Sequence, residues 1–202
     1  MIDQVKSKSD RTKEYLLETL APVFSKNGYA ATSLSEISKA TGLSKGAIYG
    51  NFENKEQLAL AAFNYNLKKV LKKLNSHVAK ESSPIKQLKA ITSFYREYYA
   101  YAVDFGGCPL ITGGVDSNHQ NPLLFARVKQ MTSRIRSKIV DIILTGVELG
   151  EIKADIDPQV YANRIFSMIE GSLFLGIILT EPNCTNDMMD HIDLMIDSEL
   201  KK

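Results

Sequence analysis

The sequence predicts an all-α protein of about nine helices, on three observations. Apolar residues recur at three- and four-residue spacing through most of the 202 positions, and no stretch holds a period-two alternation. The gaps between these periodic segments carry helix punctuation: Ser, Asn or Asp caps, several followed by Pro, at the starts, and Gly near the ends. Apolar residues make up 44% of the chain and charged residues 24%, enough for a core and ordinary for a folded domain.

The first helix runs from about Asp10 to Asn27, with Tyr15, Leu16, Leu20, Val23 and Phe24 as its apolar stripe. Pro22 lacks the N–H that an interior position donates, so a bend near Thr19 or a looser last turn is expected. Ser33 to Phe52 then reads as two short helices of about eight residues each, joined by a tight turn. Ser33 caps the first and Glu36 completes a capping box; Gly42 suits the left-handed turn; Ser44 caps the second. Such a pair packs as a helix-turn-helix, whose second helix enters the DNA major groove. An ordinary helical hairpin has the same caps, so the pattern alone leaves both readings open.

Asn54, with Gln57 as its capping-box partner, opens a long helix from about Lys55 to Val78. Its lysine run, Lys68, Lys69, Lys72 and Lys73, begins roughly 20 Å from Lys55 and reads as a solvated face. Ser83-Pro84 starts a helix to about Phe105 that is apolar on most of its circumference: Phe94, Tyr98, Tyr101 and Phe105 on one side, Tyr95, Tyr99 and Ala102 on another. Gly106 to Gly114 is a turn and a short helical piece without a phosphate-loop pattern. Asn121-Pro122 opens a helix to about Leu149, and Asp157-Pro158 one to about Thr180, where Gly171 and Gly176 permit close approach on more than one side. A last helix covers about Asn186 to Leu200.

The charge is uneven. Residues 1–60 carry eight Lys/Arg against seven acids, 61–80 five Lys and no acid, and 81–202 twelve Lys/Arg against sixteen acids. The mildly basic end gives weak electrostatic support for DNA there. Cys108 and Cys184 have no CxxC spacing and read as free thiols; His77, His119 and His191 pair with no other ligand type, so neither a metal site nor a cofactor is expected. The polar N-terminus is no secretory signal, and the longest apolar run, Leu173 to Leu179, is too short to span a membrane, so a cytoplasmic protein is expected.

The layout resembles the TetR family of transcriptional regulators. The resemblance is carried from Arg11 to Leu58: Leu16-Leu17, Phe24, Asn27-Gly28-Tyr29, Thr32-Ser33-Leu34, Glu36-Ile37, Thr41-Gly42-Leu43-Ser44-Lys45-Gly46, Ile48-Tyr49, Phe52 and Asn54-Lys55-Glu56-Gln57-Leu58. Beyond residue 60 it rests on helix count and on Gly107-Cys108-Pro109 and Asp155-Ile156-Asp157-Pro158. It implies a helix-turn-helix DNA-binding domain over residues 1–54 and a ligand-binding and dimerisation domain over 55–202, in a homodimer that binds a palindromic double-stranded DNA operator and responds to a small-molecule effector. Repression rather than activation follows from the same likeness.

Carried over by position, the DNA-binding candidates are Thr32, Ser33, Ser44, Lys45, Gly46, Ala47, Tyr49, Asn51 and Lys55. Thr32 and Ser33 precede one helix, and Ser44 with the amides of Lys45 and Gly46 opens the next; both places suit phosphate. Lys45 can reach a guanine edge or a phosphate, and Ala47 a thymine methyl. Tyr49 and Lys55 look like the family's phosphate-binding tyrosine and lysine. Gly50 and Asn51 stand where the family often has larger side chains, and Ser38 replaces the usual alanine. The effector is expected to be hydrophobic or aromatic, beside Phe94, Tyr98, Tyr101, Phe105, Cys108, Ile111, Met131, Phe166 and Ile169. Two rival readings are an enzyme, for which no nucleophile–base pair is visible, and a helical interaction module that binds no DNA.

Overall fold

The computed structural model describes residues 7–202, so the first six residues of the polar N-terminal stretch lie outside the described residues. Nine α-helices occur among the latter: α1 (Lys8–Asn27), α2 (Leu34–Thr41), α3 (Lys45–Tyr49), α4 (Lys55–Val78), α5 (Pro84–Phe105), α6 (Pro109–Ser117), α7 (Pro122–Glu148), α8 (Pro158–Leu179) and α9 (Asn183–Met195). A π-helical turn, Ile196–Leu200, continues α9, and the only extended pairing among the described residues is an isolated bridge between Ile152 and Lys201.

The caps set these boundaries. Ser33 Oγ accepts from Glu36 N at 3.2 Å, and the Glu36 carboxylate accepts from Ser33 N at 2.6 Å. Gly42 takes φ 68°, a left-handed conformation that a side chain would strain. Ser44 and Asn54 accept from Ala47 N and Gln57 N at 3.2 and 2.8 Å, but the return bond expected from Gln57 is not made.

α1 runs through Pro22 as one helix, with Leu16, Leu20, Ala21 and Phe24 buried in the core it shares with α4. Two elements depart from expectation. α3 is five residues, shorter than expected. Gly50 is a weak helix former; the Asn51 side chain donates to Ala47 O at 2.9 Å, and Asn51 N turns back to Ile48 O at 3.0 Å. α9 starts at Asn183, without a side-chain cap.

α1, α2 and α3 bury Leu16, Leu20, Ile37 and Ile48 against Leu58 at the start of α4. Each such side chain contributes about 1.5–3 kcal/mol on burial. α4 then enters a second layer, where α5, α7, α8 and α9 enclose Leu88, Ile143, Ile165, Leu173, Met189 and Ile192. Asn66, buried in α4, donates to Ala21 O and Ser25 Oγ, both at 2.9 Å, and so stitches α4 to α1.

α8 corrects the expectation about membrane-length segments. By length and composition it is apolar enough to cross a bilayer, because the 22-residue helix is apolar on two faces rather than in one unbroken run. One face packs inside the chain; the other leaves Phe174, Leu175, Ile178 and Leu179 about half exposed or more. Gly176 belongs to the inner face: an added Cβ would lie 2.8 Å from the Tyr99 ring, and the Tyr99 hydroxyl donates to Gly176 O at 2.9 Å. Gly171 faces open space.

Candidate nucleic-acid interface and effector cavity

The α2–α3 end presents a surface of small and donor-rich residues. Ser44, Lys45, Gly46 and Tyr49 are exposed and Ala47 is half-buried, while Ile48 is fully buried beneath them. Ser44 Oγ accepts from Ala47 N, which leaves its own hydroxyl proton free to point outward.

Two other candidates are differently placed. Thr32 is fully buried, and both its hydroxyl and its amide donate to Gly28 O, at 2.6 and 3.3 Å. Asn51 holds Ala47 O with its amide nitrogen and accepts from Ser9 Oγ at 3.2 Å, so it ties the end of α3 to the start of α1. Ser33 is exposed, but its amide and its hydroxyl are both engaged by Glu36. That bond from the Ser33 backbone, then the Ser33 hydroxyl and the nearby Lys55 and Lys39, hold the Glu36 carboxyl below its ordinary range.

Lys55 lies across the α1–α2 turn. Its Nζ sits 4.6 Å from the Tyr29 ring centroid and donates to Ala30 O at 3.4 Å. The other side of the same turn is held by Asp116 in α6: its Oδ2 accepts from the amides of both Tyr29 and Ala30, the latter at 3.1 Å. Burial, then the charges of Glu56 and Asp116, push the Tyr29 phenol upward. Asp116 has no signal in the sequence, since it pairs across 87 positions with backbone groups.

A cavity of about 970 Å³ lies between α4, α5, α7 and α8. Its walls include Leu67, Leu71, Ile91, Tyr95 and Ile139, and of the expected lining residues Met131, Phe166 and Ile169. The other six line other parts of the core. Phe94 stacks on Tyr98 at 5.4 Å and Tyr101 on Phe105 at 4.8 Å, a continuous aromatic row along α5; Cys108 is buried and Ile111 half-buried near the α5–α6 turn. The lysine run divides. Lys69 and Lys73 cover the rings of Tyr65 and Tyr101 at 4.7 and 4.5 Å, whereas Lys68 and Lys72 reach the cavity.

Both cysteines are free thiols. Near the aromatic row, Cys108 Sγ donates to Glu170 Oε1 at 3.4 Å, while the buried Oε2 has no partner. Burial pushes the Glu170 carboxyl up to about 7, and pushes the Cys108 thiol and the Tyr95 and Tyr98 phenols upward as well. Oε2 at this site is therefore a protonated, neutral acid below that pH.

Family models match at both ends of the chain: "Bacterial regulatory proteins, tetR family" over residues 16–62 and "Tetracyclin repressor-like, C-terminal domain" over 84–192. A TetR-family transcriptional regulator from Cytophaga hutchinsonii superposes with TM-score 0.90 at 30% identity, covering 98% of this chain and 100% of that one. A TetR transcriptional regulator from Chloroflexus aurantiacus gives 0.91 at 33% identity, covering 96% and 98%. FadR from Bacillus subtilis, described in complex with stearoyl-CoA, shares the fold at TM-score 0.75 and 18% identity, covering 92% and 97%. With the N-terminal and C-terminal family models both matched and two structural relatives at 30% and 33% identity covered almost end to end, the chain belongs to the TetR family of DNA-binding transcriptional regulators.

Proposed function

We propose that the protein is a ligand-responsive repressor: a homodimer binds a palindromic operator and is released by a small, largely hydrophobic effector. The observation that carries the DNA side is the open surface of Ser44, Lys45, Gly46, Ala47 and Tyr49 directly over buried Ile48. Small residues let the helix sit deep in the groove, and the free hydroxyls and Lys45 supply donors. Ser33 and Lys55 add phosphate contacts at the edge, the former by leaving Glu36 and the latter by leaving Ala30 O. Thr32 and Asn51 act from behind this surface, by holding the ends of α2 and α3. Residues 1–54 form the DNA-binding part and 55–202 the part that dimerises and binds effector.

The exposed Phe174, Leu175, Ile178 and Leu179 support α8, with α9 beside it, as the dimer face. The interface then places two α3 helices in successive major grooves, about 34 Å apart. The cavity between α4 and α7 supports an apolar effector, and FadR, which shares this fold, is known in complex with stearoyl-CoA. An effector that favours one spacing of α4 and α7 shifts Lys55 and the α1–α2 turn, and by linkage DNA must oppose the effector equally. A gel shift on the protein's own upstream region and on a selected oligonucleotide pool, with rising salt, tests this. A salt-sensitive, sequence-preferring complex is expected; its absence from both would leave the helical interaction module as the better reading.

A further inference from the structure

The cavity's mouth carries a charge pattern that its apolar floor does not require. α4 contributes Lys68 and Lys72, one turn apart on one face; α7 contributes Arg127, Arg134 and Lys138, spaced by seven and four residues and so also on one face. The two rows lie on neighbouring helices, and Lys68, Lys72, Arg134 and Lys138 are the cavity's exposed cations, with Arg127 half-buried. Among the described residues of the lining, Asp141 is the one carboxylate, and it pairs with Lys138 at 3.3 Å. Arg127 is held by neutral groups, Asn64 Oδ1 at 2.7 Å and Gln130 Oε1 at 2.6 Å. Lys68, Lys72 and Arg134 have no acidic partner among the described residues. Their neighbours Lys69 and Lys73 lie over tyrosine rings, so the pair turned to the cavity is separate from the pair that packs on the core.

The less exposed lining is mainly apolar, with Leu71, Met131, Ile135, Ile142, Phe166 and Ile169, while Asn64, Gln87 and Tyr95 are its uncharged polar groups. Glu170 is not part of the lining, and its carboxyl is engaged by Cys108. Unpaired cations around a low-dielectric opening concentrate positive potential there. An apolar floor under such a rim complements one chemistry: a ligand with an apolar tail and an anionic head. A cation would be repelled at the mouth, and a neutral ligand would gain nothing from the rim.

We infer that the effector of this protein is an anionic amphiphile, its tail in the cavity between α4 and α7 and its carboxylate or phosphate head held by Lys68, Lys72, Arg127 and Arg134. The inference rests on the reading of this cavity as the effector site. It also gives the ligand a grip on both walls: a head bridging Lys72 and Arg134 fixes the spacing of α4 and α7.

The test is calorimetric titration of the full-length protein with four probes of one tail length, each below its micelle concentration: dodecanoate, dodecyl phosphate, dodecanol and dodecyltrimethylammonium. The two anions are expected to bind at least about tenfold more tightly than the alcohol, a margin that narrows as salt rises. The ranking of carboxylate against phosphate identifies the head. The double variant Lys72→Glu with Arg134→Glu, both exposed positions, should abolish the margin while leaving the alcohol's affinity and the Tm unchanged. Equal affinity for dodecanol and the anions, preference for the ammonium, or an unchanged margin in the variant overturns the inference. A parallel gel shift separates the two readings: anion binding that leaves the DNA complex intact upholds the site and removes the effector role.

Discussion

At the scale of single residues, the chemistry divides between groups that face out and groups already engaged. Tyr49 is exposed on α3 and Lys55 lies across the α1–α2 turn, and the proposal gives both to DNA phosphate. Replacing them together, Tyr49→Phe with Lys55→Ala, should weaken binding of every DNA sequence by about tenfold or more and reduce the salt slope by about one, measured by fluorescence anisotropy. A change in the preferred base would contradict the phosphate assignment. Glu170 offers a second test. Its carboxyl titrates from an ordinary 4.5 to about 7 on burial beside Cys108, with the Tyr95 and Tyr98 phenols nearby. The folded state therefore holds the proton more tightly than the unfolded chain. This contribution is fully present below about pH 4.5 and is lost as pH rises through about 7, by up to roughly 3 kcal/mol. In Glu170→Gln, the fall in Tm between those pH values should flatten relative to wild type. An unchanged slope would mean that the carboxyl is solvated in the folded protein.

At the scale of elements, the α1–α2 turn is where the two halves of the chain meet. Asp116 in α6 and Lys55 in α4 both hold it, and α2 begins four to five residues beyond the amides Asp116 binds. Hydrogen bonds to a charged acceptor contribute about 1.5–3 kcal/mol. Asp116→Ala should therefore speed hydrogen exchange at the Tyr29 and Ala30 amides by about tenfold or more, with no change at amides in the middle of α4. Uniform acceleration would indicate general destabilisation and no specific hold.

These elements also mark what could be read from the sequence. Caps and periodicity located most helix starts, because they depend on neighbours no more than four residues away: Ser33 with Glu36, Ser83 with Pro84, Asp157 with Pro158. The length of α3 was not legible, since Asn51 can either extend a helix or bond back to Ala47 O, and a contact with Ser9 favours the second. Thr32 looked like a surface hydroxyl and faces Gly28 O instead. Periodicity told which α5 aromatics are buried but not what they are buried against. The row from Phe94 to Phe105 packs on itself, and the cavity opens one helix face away, between lysines and arginines that a one-dimensional pattern assigns to solvent.

At the scale of the whole molecule, the central claim is that two copies joined through α8 and α9 present paired α3 helices to DNA. The joining surface is tested by Phe174→Arg with Ile178→Arg, at positions 50% and 65% exposed. Sedimentation velocity at micromolar concentration should show a monomer with unchanged helical circular dichroism; a persistent dimer would place the interface elsewhere. The measurement that reaches the claim most directly is a hydroxyl-radical footprint of the wild-type protein on its selected DNA site. Two protected segments on one face of the duplex, centred about one helical turn or 34 Å apart and related by the operator's two-fold symmetry, are the predicted result. A single protected segment, or protection spread without symmetry, would contradict it.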